Sequence, residues 1–236
     1  MTENSENVKR LRCINMCQPL DTTVHQVILI IDEKESKGEI SRDLYPMSSM
    51  QGNSTSKECK LLYTFTEDEK YIILVNNTDS ECYYQINEVL KISEKTKLKI
   101  GNTLIKINEK GGIWYMKITC LNNKPLITIR YELNPKIRYY IGRLPKEEEG
   151  CITLTGDTEI SRVHCEVWFE DGKWGVKDLN SLNGTYAHLK KGEEIRIRWE
   201  QIFRIGPDLY TYFSYEEYKP CTTKKGLKPG CDSTEG

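Results

Sequence analysis

No apolar run in this 236-residue sequence exceeds five residues, and Val27-Ile-Leu-Ile-Ile31 is one of them. A helix that crosses a bilayer needs about 20, so no membrane-spanning helix is expected. The chain begins Met1-Thr-Glu-Asn-Ser-Glu6 with no apolar stretch behind it, which argues against a secretory leader. Neither sign of charge dominates: Lys+Arg 34 against Asp+Glu 35 leaves −1. That balance gives no bulk attraction to nucleic acid or anionic lipid. Adjacent lysines occur only at Lys190-Lys191 and Lys224-Lys225, which read as solvated surface. Any anion would have to be held by a local cluster. The nine cysteines contain no Cys-x-x-Cys, and with three histidines (His25, His164, His188) a zinc site is not expected. The cysteines read as reduced thiols of a cytoplasmic or nuclear protein. Glycine-rich phosphate loops, paired-carboxylate motifs and nucleophile–base pairs are missing too, so neither an enzyme nor a cofactor is expected.

What the chain has is short strands. Period-two alternation and β-branched residues mark Lys60–Phe65, Tyr71–Val75, Lys97–Ile100, Thr103–Ile107, Ile113–Thr119, Tyr139–Gly142, Glu194–Arg198 and Phe203–Ile205, with others between them. No segment keeps a helical period over three turns. Many short strands divided by polar or glycine-containing turns predict an all-β fold of sandwich type. Residues 1–22 read as a flexible arm, 33–57 as a long loop and 219–236 as a loose tail.

The two halves of the chain also echo each other. Residues 193–206 lie over 88–101 at an offset of 105, with Glu193/Glu88, Ile197/Ile92, Ile205/Ile100 and Gly206/Gly101 identical. Chance matching of strand-rich stretches is the alternative to a tandem of two sandwiches, and the tandem is preferred. It divides the chain into a divergent β domain at 23–110 and a second domain at 111–218.

Three pieces of the second half carry the chemistry. Gly142-Arg143 ends one strand, and a guanidinium presents a planar fork of donors that suits two phosphate oxygens at once. Ser161-Arg162 precedes the next strand and adds a hydroxyl and a second cation. His164 reads as a buried, hydrogen-bonded histidine that steadies the loop, with no acid evident in the sequence to orient it as a base. Ser181-Leu-Asn-Gly-Thr185 makes a third loop, where Asn183-Gly184 is a turn signal because both types accept positive φ. Gly-Arg or Asn-Gly alone would signify a surface arginine or a plain hairpin. All three in order are specific.

In order and wording these pieces resemble the forkhead-associated (FHA) domain, a module that binds phosphothreonine in partner proteins. The resemblance covers roughly Gly112–Tyr218. It implies that Arg143, Ser161 and Arg162 contact phosphate, that Asn183 holds the partner's backbone, and that Gly142, His164, Gly184 and Thr185 shape the loops. Leu182 stands where many relatives carry a hydroxyl residue that helps line the pocket, which implies altered affinity or residue preference. The first half lacks the matching grip and would serve as a brace or second docking surface. The resemblance thus implies an adaptor for a phosphothreonine-containing protein, with no metal, nucleic acid or membrane involved and an open oligomeric state. The other reading is a structural subunit of a larger protein assembly, cytoskeletal or ciliary, that makes phosphate-independent contacts.

Overall fold

The computed structural model describes residues 9–14, 27–31, 37–41, 60–65, 71–79, 81–94, 96–121, 125–143, 148–205 and 209–215. Among these the secondary structure is all strand. The first half carries β1 (Lys9–Ile14), β2 (Val27–Ile31), β3 (Lys37–Ser41), β4 (Lys60–Phe65), β5 (Tyr71–Asn76), β6 (Cys82–Gln85), β7 (Leu90–Ile92), β8 (Lys97–Ile100) and β9 (Thr103–Lys110). The second carries β10 (Ile113–Cys120), β11 (Ile127–Leu133), β12 (Tyr139–Gly142), β13 (Cys151–Thr153), β14 (Cys165–Glu170), β15 (Lys173–Asp178), β16 (Thr185–Leu189), β17 (Glu194–Arg198), β18 (Phe203–Ile205) and β19 (Leu209–Tyr215). Alternation explains most of them: β5 buries every second residue, Ile72, Leu74 and Asn76, and leaves the others half-exposed.

One sheet has ten strands in the order β11-β10-β9-β8-β16-β6-β18-β19-β1-β2. Among the described residues there are also a five-stranded sheet, β13-β12-β14-β15-β7, and a four-stranded sheet, β17-β5-β4-β3. When each strand is replaced by its counterpart in the other half (β1 with β10, through to β9 with β19), the ten-strand order reads the same from both ends. The centre of that order is the antiparallel β16–β6 pair, with Ala187 opposite Tyr84.

Two apolar cores match this arrangement. One joins the five-stranded sheet to β8–β11 and β16, and every buried member lies between Ile86 and Ala187. Trp174 is its largest fully buried side chain, with Ile100, Ile105, Ile141 and Val176 among the others. The other core joins the four-stranded sheet to β6 and β18, and draws on 40–82 and 189–205. Each buried Leu, Ile or Phe side chain contributes on the order of 1.5–3 kcal/mol through removal from water.

The division at 110/111 is therefore corrected. That point is the tip of the β9–β10 hairpin, where Gly111 and Gly112 have φ of 62° and 80° and Lys110 pairs with Ile113. A two-residue turn with both central φ positive ties the strands it joins to each other. β9 must then pair with β10, and β7–β9 are carried into the sandwich of the second half. β17–β19 complete the sandwich of the first half instead, through β17–β5, β18–β6 and β19–β1. The chain is one sandwich of about residues 86–189 inserted into another built from both flanks. Nor is the whole N-terminal stretch an arm, because Lys9–Ile14 pairs with both β2 and β19. The long loop likewise contains β3, paired with β4. The rest of 1–22 and of 33–57, and the tail at 219–236, lie outside the described residues.

Candidate functional site

The three motif-bearing segments meet at one end of the inserted sandwich. In β12, Tyr139 and Ile141 point into the core and the strand delivers Arg143 to its end. Gly142 is needed there because a Cβ would run into the Arg162 carbonyl oxygen. The Gly142 carbonyl accepts from Leu154 N–H at 2.7 Å, and Ile141 accepts from His164 N–H at 2.8 Å. Arg143 N–H donates to the Ser161 carbonyl at 3.1 Å. The first and second loops are thus joined through their backbones beside the two arginines.

The third loop is organised by Asp178. Its carboxylate accepts from Ser181 N–H at 2.8 Å, the Ser181 hydroxyl at 2.7 Å and the Thr185 hydroxyl at 2.6 Å. Gly184 N–H donates back to Ser181 Oγ at 2.9 Å. Left-handed backbone occurs at Asn180 (φ 55°) and Gly184 (φ 77°). The expected Asn183-Gly184 turn therefore has only its glycine at positive φ, and the asparagine that adopts it is Asn180. The Thr185 hydroxyl bonds within the loop, to Asp178.

Two contacts clamp this loop to the second. Leu182 N–H donates to Ser161 Oγ at 2.9 Å, and Asn183 Nδ2 donates to the Glu159 carbonyl at 2.8 Å. His164 braces the junction from beneath. It is fully buried, its Nδ1 accepts from Ser161 N–H at 3.1 Å, and its Nε2 lies 3.1 Å from the Gly184 carbonyl. An acceptor at Nδ1 and a donor at Nε2 describe one neutral tautomer. Burial lowers the His164 pKa, against the opposing pull of the Gly184 bond and Asp178. The carboxylate that the sequence did not reveal beside this ring is Asp178, 3.8 Å from Nε2. The distance is too long for a hydrogen bond, and the ring serves as a prop.

The groups left facing solvent form the candidate grip. Arg143 and Arg162 are exposed and form no ion pair among the described residues. Ser161 accepts at its oxygen, and among the described residues its hydroxyl hydrogen has no acceptor. Asn183 spends an N–H on Glu159 and keeps its side-chain oxygen as an acceptor. Leu182 is 87% exposed at the tip. The arrangement offers cationic and hydroxyl donors. The Cys165 thiol is wholly buried, and burial pushes its pKa up, away from thiolate. Among the described residues no group of three His, Cys, Asp or Glu side chains is placed to hold a metal.

Sequence reasoning missed Asp178 and Asp157. Asp157 accepts from Asn102 N–H at 2.8 Å and from the Thr103 hydroxyl at 3.3 Å, and ties the β8–β9 turn to the loop that carries Ser161. Its other oxygen accepts from Glu159 N–H at 3.1 Å. An Asp three residues before a Ser was a readable turn signal for Asp178. Nothing local pointed Asp157 at residue 102.

Residues 139–206 match the family model of the FHA domain. This chain contains an FHA domain. Over 75 residues it is 33% identical to the oxoglutarate dehydrogenase inhibitor of Corynebacterium efficiens, which covers 28% of this chain and 50% of that protein. Over 60 residues it is 37% identical to the glycogen accumulation regulator GarA of Mycolicibacterium smegmatis, covering 22% of this chain and 38% of that one. The chain thus spans half or less of the length of these relatives. The first is named as an inhibitor and the second as a regulator. The FHA match also runs past the sandwich that bears the grip: β17 and β18 fall within it yet pair with β5 and β6. Behind the grip their places are taken by β7 and β8, the segment found at the offset of 105.

Proposed function

We propose that this protein binds phosphothreonine in partner proteins through Arg143, Ser161, Arg162 and Asn183, and acts as an adaptor. The supporting observation is the junction of the three loops at Ser161, which receives Leu182 N–H at its hydroxyl and Arg143 N–H at its carbonyl. A phosphate brings about −1.5 to −2 charge and three acceptor oxygens. Two arginines and one hydroxyl hydrogen, held by loops already bonded to each other, meet those oxygens at little ordering cost. Asn183 then faces the peptide backbone with its oxygen, and Leu182 lies alongside it. The flanking sandwich lacks an equivalent set and acts as a brace. Free thiols at Cys82, Cys120, Cys151 and Cys165 support a reducing compartment such as the cytoplasm.

The test is anisotropy with a phosphothreonine peptide library on the whole chain, beside unphosphorylated controls. Arg143→Ala removes charge-assisted bonds worth about 1.5–3 kcal/mol each and should weaken binding roughly tenfold to a hundredfold. Equal binding by the variant, or equal capture of unphosphorylated peptide, overturns the assignment.

A further inference from the structure

β11 ends the ten-stranded sheet, and its outer edge has no strand beside it among the described residues. Sheet edges of this kind are usually short, bulged, or guarded by lysine or proline. β11 has seven residues, Ile127-Thr-Ile-Arg-Tyr-Glu-Leu133, with no lysine or proline inside it. Pro125 and Pro135 stand just outside, where they bound a pairing surface without interrupting it. Its apolar side is open as well. Ile127 and Ile129 are 47% and 38% exposed, although Ile118, directly opposite Ile129 on β10, is fully buried. Leu126 adds a further exposed side chain at 60%. Among the described residues this face of the edge is thus open at Ile127 and Ile129 and closed at Leu133, which is 3% exposed.

The charges on β11 favour one occupant. On the opposite face of the strand, Arg130 and Glu132 are both exposed, and neither forms an ion pair within the chain among the described residues. Arg130 lies over the Tyr115 ring, 5.2 Å from its centre, which holds the guanidinium on the outer surface. Suppose a second β11 runs antiparallel beside this one with apolar faces on the same side. A register centred on Arg130 sets two guanidiniums against each other. The register centred on Tyr131 sets Arg130 against Glu132 of the second copy, twice, and Ile129 against Leu133 twice. Cross-strand opposite charges and apolar pairs stabilise a ladder, and like charges directly opposite destabilise it. We propose that the partner of this edge is a second copy of the chain, paired antiparallel through β11 about Tyr131, so that two ten-stranded sheets become continuous. A two-fold contact of this kind closes on itself and stops at a dimer.

The experiment is sedimentation of the whole chain across a wide dilution series, with hydrogen exchange of the β11 amides at both ends of the series. A monomer–dimer equilibrium is expected, with β11 amides better protected in the concentrated sample. Arg130→Glu alone and Glu132→Arg alone place like charges opposite each other twice and should weaken the dimer about tenfold. The double variant Arg130→Glu/Glu132→Arg restores the pairing and should recover the dimer. Near-ultraviolet circular dichroism and phosphopeptide binding check that each variant is folded, since both side chains are exposed and lie outside the grip. A monomer at every concentration overturns the proposal, as does a dimer indifferent to the single changes. Open-ended growth also overturns it, because that outcome means β11 joins β2, the apolar strand at the other end of the sheet.

Discussion

The sandwich with the grip and the sandwich without it use the same device to hold the turn between corresponding strands. In the first, Asp178 gathers Ser181 and Thr185. In the second, Asn76 at the end of β5 accepts from the Thr78 N–H at 3.0 Å and the Thr78 hydroxyl at 3.2 Å. Both turns are organised by an Asp or Asn side chain that accepts from the backbone a few residues on. What differs is what the turn presents. Asn183-Gly184 and a neighbouring Ser161 occur only beside Asp178, whereas Asn76 directs a side-chain N–H inward, to the Leu189 carbonyl at 2.9 Å. The scaffold of a phosphate-binding loop can therefore persist as pure structure. Only a few outward groups separate a candidate binding site from a brace.

The largest test of this comparison is in the cores. Ile100 and Ile205 are counterparts at the offset of 105, and both are fully buried, one in each core. Replacing either with alanine should cost about 2–5 kcal/mol. The location of the damage separates them. Ile100→Ala should raise hydrogen exchange around 139–189 and weaken phosphopeptide binding, while Ile205→Ala should leave those amides protected. The reverse pattern would mean that β8 and β18 stay with their own halves in solution.

A smaller effect comes from the histidines, one at the grip and one at the central β16–β6 pair. Burial lowers the pKa of both His164 and His188, with Lys97 adding to the shift at His188. A lowered value in the folded state means that the unfolded chain takes up protons first as pH falls below about 6.5. Stability is then complete above that pH and declines below it, by up to about 1.4 kcal/mol per pH unit for the fully buried His164 and by less for the partly exposed His188. Urea denaturation at neutral and mildly acidic pH measures the slope, and the imidazole carbon shifts assign it. A His164 ring that titrates at the ordinary value would remove this residue as the neutral prop of the loop.

The smallest effect is expected at Leu182, which is almost fully exposed. Leu182→Ala should leave the unfolding free energy, measured by urea denaturation, within about ±0.5 kcal/mol, the range typical of surface changes. Its consequence should appear only in which peptides bind, and a destabilised variant would show that the tip packs more tightly than its exposure indicates.

The sequence revealed the fold class because alternation is a local property, and β4, β8, β12, β17 and β18 fall on the expected residues. β16 was hidden because Thr185-Tyr-Ala-His-Leu189 is buried at every position but His188, and so has no polar alternation to read. β3 was hidden because Lys37-Gly-Glu-Ile-Ser41 holds one apolar residue. The exchange of β7–β9 for β17–β19 could not be read from strand pattern, since both sets carry similar apolar spacing and fit either core. The clue was Gly111-Gly112, a hairpin signal in the middle of what reads as a boundary between halves. At the site, the outward residues were legible as motifs. Asp157 was not, because its partners Asn102 and Thr103 are brought to it only by that exchange.

The pairing of β1 with β19 places Lys9 opposite Tyr215. Tension applied to the two flanks of the folded region would open that pair like a zipper, one backbone bond after another from the Lys9 end. The inserted lobe at 86–189 hangs from the remainder as a closed loop of chain. It would carry no load until the strands on either side had been peeled away.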